Sequence, residues 1–521
     1  MIKFLLFALL TALPIIPQPA EVQMGSGTFD ATNARCIIQD DVPELSAEFI
    51  GLFAQEFSFS TGKGSGKKIT FSKVDGLGPE EYELDIRRSG ISVKASDHNG
   101  FVYAVQSLRQ LVNAGRKIPV SLIKDKPRFS YRGMHLDSVR KFFSVDWVKK
   151  YIDMLSLHKV NYFHWHLTDD HAWRIEIKKY PELTRTGAFG DIGSRVDLDP
   201  NAPYPVEYEG FYSQKEIKDI VRYAEVRGIT TIPEIDMPGH MTAALACYPW
   251  LGCTGGPYKV INVPGPRGKG LAKDSMCPGR ETTFTFIEDV LTEVMEVFPS
   301  KYIHIGGDEC IKDRWMECEE CKALVERLGL KAKDGITEWQ QLEVWMINRV
   351  ANFLEAHGRT AIGWDEILDG DLGKNAVVMS WRGTKSGIKA AQRGYDVIMT
   401  PSGTMYFCRN QSKEVREPLT MSKGVITVQN VYDFNPVANL NEEQASHIIG
   451  VQACLWADVI GSKPVMEYML LPRLAALSEV QWCPAGTLEW PRFRESLDVL
   501  RTYYDAQGWY YAQHLWGKVG F

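Results

Sequence analysis

The stretch Tyr302-Ile303-His304-Ile305-Gly306-Gly307-Asp308-Glu309 joins a short apolar run to two glycines and two adjacent acids. The same order, a strand-like run followed by a polar loop and a helical pattern, recurs on both sides of it. Eight such strands are predicted after Pro127, at residues 133–137, 162–167, 229–234, 302–306, 360–364, 376–381, 396–401 and 449–456. Helical patterns lie between most of them, at residues 145–158, 214–227, 282–298, 338–357, 385–393 and 466–482.

Alternating strands and helices of this number favour a closed parallel (β/α)8 TIM barrel. A doubly wound open sheet is the alternative, but no GxGxxG motif follows the first strand, which disfavours its dinucleotide-binding version. Before Pro127 the pattern changes to short strands and one amphipathic helix, at residues 68–71, 82–87, 90–94 and 100–113. We therefore predict an α/β fold in which a small α/β accessory domain at 14–126 precedes a barrel at 127–521.

Composition excludes several classes of protein. Of the 521 residues, 45% are hydrophobic and 24% charged, as in soluble globular proteins, and the net charge of -6 gives no electrostatic case for nucleic acid or an anionic membrane. Residues 1–13 place one lysine before an apolar run that ends in small residues, which predicts a signal peptide and export to the periplasm or the exterior. This run is too short for a stable membrane span, and no other stretch approaches one.

Export would permit disulfides among the ten cysteines. Two groups are close in sequence, namely Cys247, Cys253 and Cys277, and then Cys310, Cys318 and Cys321. The spacing of Cys318 and Cys321 also suits zinc or redox chemistry, but no second CxxC motif accompanies it. Structural roles or free thiols are the favoured interpretation.

In parallel barrels the chemistry lies where the strands end. The predicted strand ends carry many reactive or aromatic side chains: Asp137, Arg140, His166, Asp169, Glu234, Asp236, His240, Asp308, Glu309, Trp364, Asp365, Trp381, Tyr406, Trp456 and Asp458. Ion pairs that serve stability alone would be expected on helix surfaces instead. The distribution therefore indicates a functional site at this end of the barrel.

Asp308 and Glu309 are the sharpest feature of that site. The two preceding glycines let the backbone bend and let a ligand approach closely. On an extended backbone adjacent side chains point to opposite sides, so the two carboxylates would meet different parts of a ligand. Two nearby acids also push their pKa values apart, which gives one proton donor and one anion. At this point a turn with surface acids and a divalent metal site both remain open alternatives.

Taken with the other strand ends, the sequence resembles the family 20 glycoside hydrolases, the β-N-acetylhexosaminidases. The segments that carry the resemblance are RGMHLDSVR at 132–140, HWHLTDD at 164–170, PEIDMPGH at 233–240, HIGGDE at 304–309, GWDE at 363–366, SW at 380–381 and ACLW at 453–456. The resemblance covers nearly the whole chain, and it includes the accessory domain.

The resemblance implies hydrolysis of terminal, non-reducing β-linked GlcNAc or GalNAc from glycans or glycoconjugates by a retaining, substrate-assisted mechanism. Asp308 would orient the substrate's acetamido group, whose oxygen forms an oxazolinium intermediate, and Glu309 would act as general acid and base. The implied substrate-binding residues are Arg140, Asp169, His240, Trp364, Trp381, Tyr406, Trp456 and Asp458. The resemblance implies no metal and no cofactor. His164 and His166 share a strand face, but no third ligand with the usual spacing accompanies them.

Two departures from the family pattern concern the rim of the site. Cys408, followed by Arg409, stands where many members carry an acid or amide that touches the sugar O6, and Arg409 would favour an anionic group there. The segment 171–173 reads His-Ala-Trp where the family often has Gln-Gly-Trp, which predicts an altered pocket rim.

Three other functions fit the sequence less well than hydrolysis does. A catalytically weak carbohydrate-binding barrel is the alternative, and the intact pair of Asp308 and Glu309 argues against it. A family 18 type chitinase would need a DxxDxDxE run, which is absent. A metal-dependent deacetylase would need a His/Asp ligand triad, which we could not assemble from the sequence.

Overall fold

The structure is a computed structural model that describes residues 13–189, 209–260, 272–420 and 424–521, except 459, 461 and 518. The predicted signal peptide falls on residues 1–12, outside the described residues, and on Leu13. Leu13 is buried in the apolar core of the amino-terminal domain. Export therefore stays a prediction.

The amino-terminal domain is a seven-stranded mixed sheet with two helices, Glu44–Glu56 and His98–Ala114. The strands, in chain order, are Glu21–Asp30, Arg35–Ile38, Ser60–Thr61, Lys68–Lys73, Tyr82–Arg87, Gly90–Ala95 and Lys117–Asp125. The strands predicted at 82–87 and 90–94 pair as a hairpin, and the predicted amphipathic helix is present. Asp97 caps that helix by accepting a hydrogen bond from the Gly100 N–H at 2.8 Å. The edge strand Glu21–Asp30 was not predicted because its side chains are mostly exposed and show no apolar alternation.

The remainder of the chain forms the predicted closed barrel of eight parallel strands. In chain order these are Tyr131–Asp137, Tyr162–His166, Thr230–Met237, Tyr302–Gly306, Thr360–Trp364, Ala376–Ser380, Val397–Met399 and Ile448–Ala453, which we call the first to the eighth strand. The eighth strand pairs with the first, for example Val451 with Arg132, and this pairing closes the barrel. The TIM-barrel prediction is confirmed.

Long helices surround the barrel, and short helices lie within its loops. The helices are Val145–Leu157, Glu182–Arg185, Gln214–Val226, Thr242–Cys247, Glu281–Val297, Asp313–Glu317, Glu319–Leu328, Glu338–Ala356, Thr384–Gln392, Ser402–Met405, Val428–Tyr432, Glu442–Ser446, Lys463–Leu470, Arg473–Trp482 and Trp490–Gln507. Two 3₁₀ turns, Pro249–Leu251 and Asp365–Leu368, and a small ladder of Thr168–Asp169 with Ala172–Trp173 complete the described elements. Among the described helices, none has both the length and the apolar character needed to cross a membrane.

One helix prediction was wrong. The single helix predicted at 466–482 is two helices, which meet at Leu471 and Pro472. Proline has no backbone N–H to donate to the preceding turn, and its ring clashes with that turn, so the helix ends there and a new one begins.

The two domains are joined by buried polar contacts. Lys159, just before the second strand, donates from Nζ to Asp125 Oδ2 at 2.9 Å, and Trp482 donates to the other oxygen of that carboxylate at 2.8 Å. Arg132, near the start of the first strand, pairs with Glu80 at 2.8 Å. These contacts place the accessory domain toward the amino-terminal ends of the barrel strands and leave their carboxyl ends to the loops.

The cysteines do not follow the grouping expected from sequence proximity. All ten cysteines lie within the described residues, and none forms a disulfide there. The structure instead brings Cys253 and Cys277 of the first sequence group against Cys318 and Cys321 of the second. Sequence distance misgroups them because two successive barrel loops fold against each other.

Candidate functional site

A cleft at the carboxyl ends of the barrel strands gathers the predicted site residues. Its volume is about 260 Å³, close to the lower limit of about 300 Å³ for small-ligand pockets. It is lined by Arg140, Asp169, Asp236, His240, Asp308, Glu309, Trp381, Ser402, Tyr406, Cys408, Arg409, Trp456 and Asp458. Every predicted catalytic or substrate-binding residue except Trp364 is in this set.

Asp308 and Glu309 lie on a tight turn and not on an extended backbone, so the geometric premise used for them was wrong. The fourth strand ends at Gly306, and Gly306, Gly307 and Glu309 have φ values of 68°, 91° and 50°. A β-carbon on Gly306 would lie 1.7 Å from Asp236 Oδ1, so only glycine fits there. The turn still gives the two acids unequal surroundings.

Asp308 is the buried member of the pair, with a side chain that is 12% exposed. Its Oδ1 accepts no hydrogen bond from any residue that the structure describes. Burial and the nearby carboxylates of Glu309 and Glu234 raise the pKa of Asp308 to about 7, although His240 opposes this rise. The site therefore holds a buried carboxyl group whose pKa lies near neutrality and whose Oδ1 has no hydrogen-bond partner among the described residues.

Glu309 is the open member, with a side chain that is 36% exposed at the cleft. His240 Nε2 lies 3.4 Å from Glu309 Oε2 and 3.8 Å from Asp308 Oδ2. The other ring nitrogen, Nδ1, lies 3.2 Å from Asp170 Oδ2 and 3.4 Å from Asp169 Oδ1. Burial lowers the pKa of His240, but these carboxylates outweigh it and raise that pKa well above its usual value. A protonated His240 thus links the acid pair to a second pair of acids.

Arg140 supplies the positive charge at the other end of the cleft. Its guanidinium lies 2.6 Å from Asp169 Oδ2, 3.3 Å from Asp137 Oδ2 and 3.9 Å from Asp458 Oδ1, and it stands 5.2 Å from the centre of the Trp456 ring. Burial raises the pKa of Asp169, but Arg140 and His240 outweigh it and hold that pKa well below its usual value. Arg140 therefore pairs with Asp137, as expected of a structural role, and also reaches into the cleft.

Three aromatic side chains form the wall of the cleft. The rings of Trp381 and Tyr406 are nearly parallel, with centroids 6.2 Å apart and an interplanar angle of 14°, and Trp456 stands 6.2 Å from Tyr406. Trp364 is 1% exposed and lies beneath this wall, 5.9 Å from Trp456. Trp364 is therefore not among the lining residues, and its indole N–H donates to Glu234 Oε1 at 2.8 Å. Its role in binding substrate stays a prediction.

Glu234 is the centre of a buried polar cluster that the sequence did not reveal. It lies 3.1 Å from His164 Nε2 and 3.0 Å from His304 Nδ1, and it also contacts His166 Nδ1. His166 Nε2 contacts Asp169 Oδ2 at 2.9 Å, so both ring nitrogens face carboxylates. His164 and His166 therefore share Glu234, on the third strand, as the third group that their spacing in the sequence did not reveal.

Several of these groups have the spacing of metal ligands. Within the described residues the histidine and carboxylate groups are His135, His166 and Glu234; His164, Glu234 and His304; Asp169, Asp170 and His240; and Asp236, His240 and Asp308. Most of their atoms contact one another through the ion pairs and hydrogen bonds given above, which supply charge balance for the buried carboxylates. Among the described residues, however, neither the two ring nitrogens of His135 nor Asp236 Oδ1 has a hydrogen-bond partner.

Two further acids at or near the cleft, Asp236 and Glu366, were not among the predicted catalytic or substrate-binding residues, although Asp236 was noted as a strand-end acid. Asp236 is 2% exposed, and burial and the charge of Asp308 raise its pKa well above the usual value. Glu366 accepts the Trp381 indole N–H at 2.9 Å, and burial and Asp308 raise its pKa to about 8. Asp236 lies two residues after Glu234 near the end of the third strand, and this strand-end position is the feature of the sequence that could have identified it as a site residue.

The two departures in sequence both lie at the cleft. Cys408, which is 8% exposed, and Arg409 are among the lining residues. His171 Nδ1 lies 3.3 Å from Arg140 Nε and 3.3 Å from Asp169 Oδ1, so the altered segment touches the cationic end of the site.

A TIM barrel with paired acids at its strand ends has the carboxyl groups in the place where glycoside hydrolases use them. The sequence profile described as "Glycosyl hydrolase family 20, catalytic domain" matches residues 129–485, and that described as "Glycosyl hydrolase family 20, domain 2" matches residues 12–126. The chain belongs to glycosyl hydrolase family 20.

Known proteins resemble the chain over most of its length. A beta-hexosaminidase of Porphyromonas gingivalis is 37% identical over 93% of this chain, which spans only 62% of that protein. The crystal structure of a beta-N-acetylhexosaminidase from Bacteroides fragilis superposes with a TM-score of 0.80 at 32% identity, covering 96% of both chains. The exo beta-N-acetylglucosaminidase of Vibrio harveyi, solved with N-acetylglucosamine, gives 0.82 at 30% identity over 96% of this chain and 78% of its own.

Proposed function

We propose that the chain is an exo-acting β-N-acetylhexosaminidase that releases terminal, non-reducing β-linked GlcNAc or GalNAc with retention of configuration. The substrate's own acetamido oxygen acts as the nucleophile. The observation that carries the proposal is the unequal acid pair: Asp308 is buried, with an Oδ1 that has no hydrogen-bond partner among the described residues, and Glu309 is partly exposed. The names of the P. gingivalis and B. fragilis relatives agree with this activity.

Asp308 has the properties needed to hold the acetamido group. Its Oδ1 has no partner among the described residues and would accept the acetamide N–H. Burial raises the pKa of Asp308 to about 7, so its ionised form is poorly stabilised by its surroundings in the cleft. A hydrogen-bond donor that also becomes positively charged would therefore stabilise this carboxylate most. The acetamide does this as its oxygen attacks the anomeric carbon, so the interaction strengthens in the transition state.

Glu309 is placed to transfer the proton. It lies at the open side of the pair, where the leaving part of an exo-cleaved substrate extends toward solvent. In the first step it protonates the glycosidic oxygen, and in the second it activates the water that opens the oxazolinium ion. His240, 3.4 Å away and held by Asp169 and Asp170, stabilises the carboxylate that remains after the proton leaves.

The aromatic wall and the charged end of the cleft bind the sugar. Trp381, Tyr406 and Trp456 surround the place beside Asp308 where the acetamido methyl would lie, and the Tyr406 hydroxyl would donate to the acetamido oxygen. Arg140 and Asp458 lie at the opposite end, where a multi-donor guanidinium and a carboxylate would grip ring hydroxyls.

The decisive experiment measures turnover of a chromogenic β-GlcNAc substrate by wild type, Asp308→Asn and Glu309→Gln. Each variant is expected to lose activity by about 10²–10⁴-fold. The two losses should differ in kind: Glu309→Gln should lose least with leaving groups that depart without a proton, whereas Asp308→Asn should lose equally with all of them. The matched substrate control is the corresponding β-glucoside, which lacks the acetamido group.

Three results would contradict the proposal. Activity retained in both variants would remove the acid pair from catalysis. Rapid cleavage of the β-glucoside would remove the substrate-assisted mechanism while leaving hydrolysis. Tight binding of GlcNAc by the wild type without any turnover would favour the alternative, a catalytically weak carbohydrate-binding barrel.

A further inference from the structure

Four cysteine sulfurs meet beside the catalytic cleft, outside the residues that line it. Cys253 and Cys277 belong to the loop after the third strand, and Cys318 and Cys321 to the loop after the fourth. The Sγ atoms of Cys253 and Cys321 are 3.8 Å apart, those of Cys277 and Cys318 are 3.8 Å apart, and those of Cys277 and Cys321 are 3.5 Å apart. All four sulfurs lie within 4.8 Å of one another.

These distances distinguish a metal centre from disulfides. A disulfide bond is about 2.05 Å long and gives each sulfur a single partner. Zinc bound by four thiolates at about 2.3 Å places the sulfurs at the corners of a tetrahedron with edges of roughly 3.8 Å. Cys277 has two neighbouring sulfurs at nearly equal distance, as a shared centre requires. We propose that Cys253, Cys277, Cys318 and Cys321 bind one zinc ion.

The two segments that carry the sulfurs approach each other closely. Gly279, two residues after Cys277, packs against the backbone of Glu320 and Cys321, where a β-carbon would come within 2.5 Å. Only a residue without a side chain leaves room for this approach, which brings the sulfurs together.

Arg280 offsets the negative charge of a zinc tetrathiolate. Its guanidinium donates to the backbone oxygens of Gly252 and Cys253 at 3.0 and 3.2 Å and pairs with Glu320 at 3.2 Å. It therefore ties together both loops that supply the sulfurs. The exposed Glu320 carboxylate also accepts a hydrogen bond from the Cys318 thiol at 3.1 Å, so it links Arg280 to one of the four sulfurs.

Three of the four sulfurs belong to buried residues. Cys277 and Cys321 are fully buried, Cys318 is 7% exposed, and Cys253 is partly exposed. Apolar side chains pack around them, including Trp315 and Leu324. Four protein ligands complete a tetrahedral zinc site and leave no open position for substrate, so this ion would be structural and not catalytic.

The zinc would fix the turn that carries the catalytic acids. The Trp315 indole N–H donates to the Met276 carbonyl at 2.9 Å, and the Met276 N–H donates to the Pro238 carbonyl at 3.0 Å. Pro238 lies two residues before His240, and Asp308 and Glu309 lie near the start of the loop after the fourth strand. Joining the two loops at the sulfurs therefore holds His240 against the acid pair.

The test is metal analysis of the full chain, purified without a metal-chelating column. We expect about one zinc per chain, lost in Cys253→Ser and in Cys321→Ser and kept in Cys247→Ser. Cys247 is the matched control because it lies six residues before Cys253 on the same loop but outside the quartet. Cobalt exchanged into the wild type should give the intense thiolate-to-metal and d–d absorption of a tetrahedral tetrathiolate, which tests the ligand set even where a serine variant does not fold.

Three results would overturn the proposal. Wild type without zinc whose denatured chain shows four fewer reactive thiols than the ten cysteines would mean two disulfides. Iron in place of zinc would overturn the identity of the metal, and zinc retained in both serine variants would overturn the site. None of these readouts uses hydrolytic activity, so the proposal fails or stands independently of the proposed function.

Discussion

Replacing Asp308 by Asn should lower activity by about 10²–10⁴-fold and yet stabilise the protein, by an amount that grows as pH rises from 3.8 to about 7. Burial first, and then the charges of Glu309 and Glu234, raise the pKa of Asp308 from 3.8 to about 7. A carboxyl whose pKa is raised by folding stabilises the fold while it is protonated. That contribution is complete below pH 3.8 and is lost as pH rises through about 7. Asn has the same shape and stays neutral throughout.

The magnitude follows from the pKa. The difference between 3.8 and about 7 corresponds to roughly 4 kcal/mol lost by wild type, and not by the variant, above pH 7. A domain of about 400 residues has an unfolding entropy near 0.8 kcal/mol/K, so the thermal midpoint should rise by about 5 °C. Below pH 4 both side chains are neutral and the midpoints should coincide.

The assay is the thermal midpoint of wild type and Asp308→Asn measured across pH 4 to 8. Glu309→Gln is the matched control, because it also removes an acid of the pair but its side chain is 36% exposed and remains hydrated in either form. It should show no comparable gain. A midpoint for Asp308→Asn that is unchanged or lower at pH 8, or a gain of equal size at pH 4, would refute the reasoning.

Two further predictions concern the cleft. Gly306→Ala should lower the free energy of unfolding by more than about 4 kcal/mol or prevent folding, since the new β-carbon would lie 1.7 Å from Asp236 Oδ1. Gly329→Ala, at nearly the same φ but in open space, should lower it by only about 1 kcal/mol, and equal thermal midpoints in the two variants would contradict the argument. If Arg409 recognises an anionic group at O6, a 6-sulfated β-GlcNAc substrate at low concentration should be cleaved about tenfold faster than the unsulfated substrate. Arg409→Met should remove that preference, and equal rates for the two substrates in wild type would count against recognition by Arg409.

The barrel was predictable because its strands are apolar runs bounded by loops and helices, and that local pattern survives in any arrangement. The fourth strand, Tyr302–Gly306, and the fifth, Thr360–Trp364, have the predicted bounds. The break at Pro472 was missed because the apolar periodicity continues through it. The exposed edge strand Glu21–Asp30 was missed because backbone pairing with Lys117–Asp125, and not side-chain burial, holds it.

By itself the sequence determined which residue types stand at the strand ends, and so the fold, the family and most of the cleft. Only the tertiary structure decided their surroundings: Asp308 buried with a raised pKa, Trp364 turned to Glu234, and four distant cysteines brought to one point. The reason is that residue identity and spacing are local, whereas desolvation, charge pairing and convergence of loops depend on which segments the closed barrel places side by side.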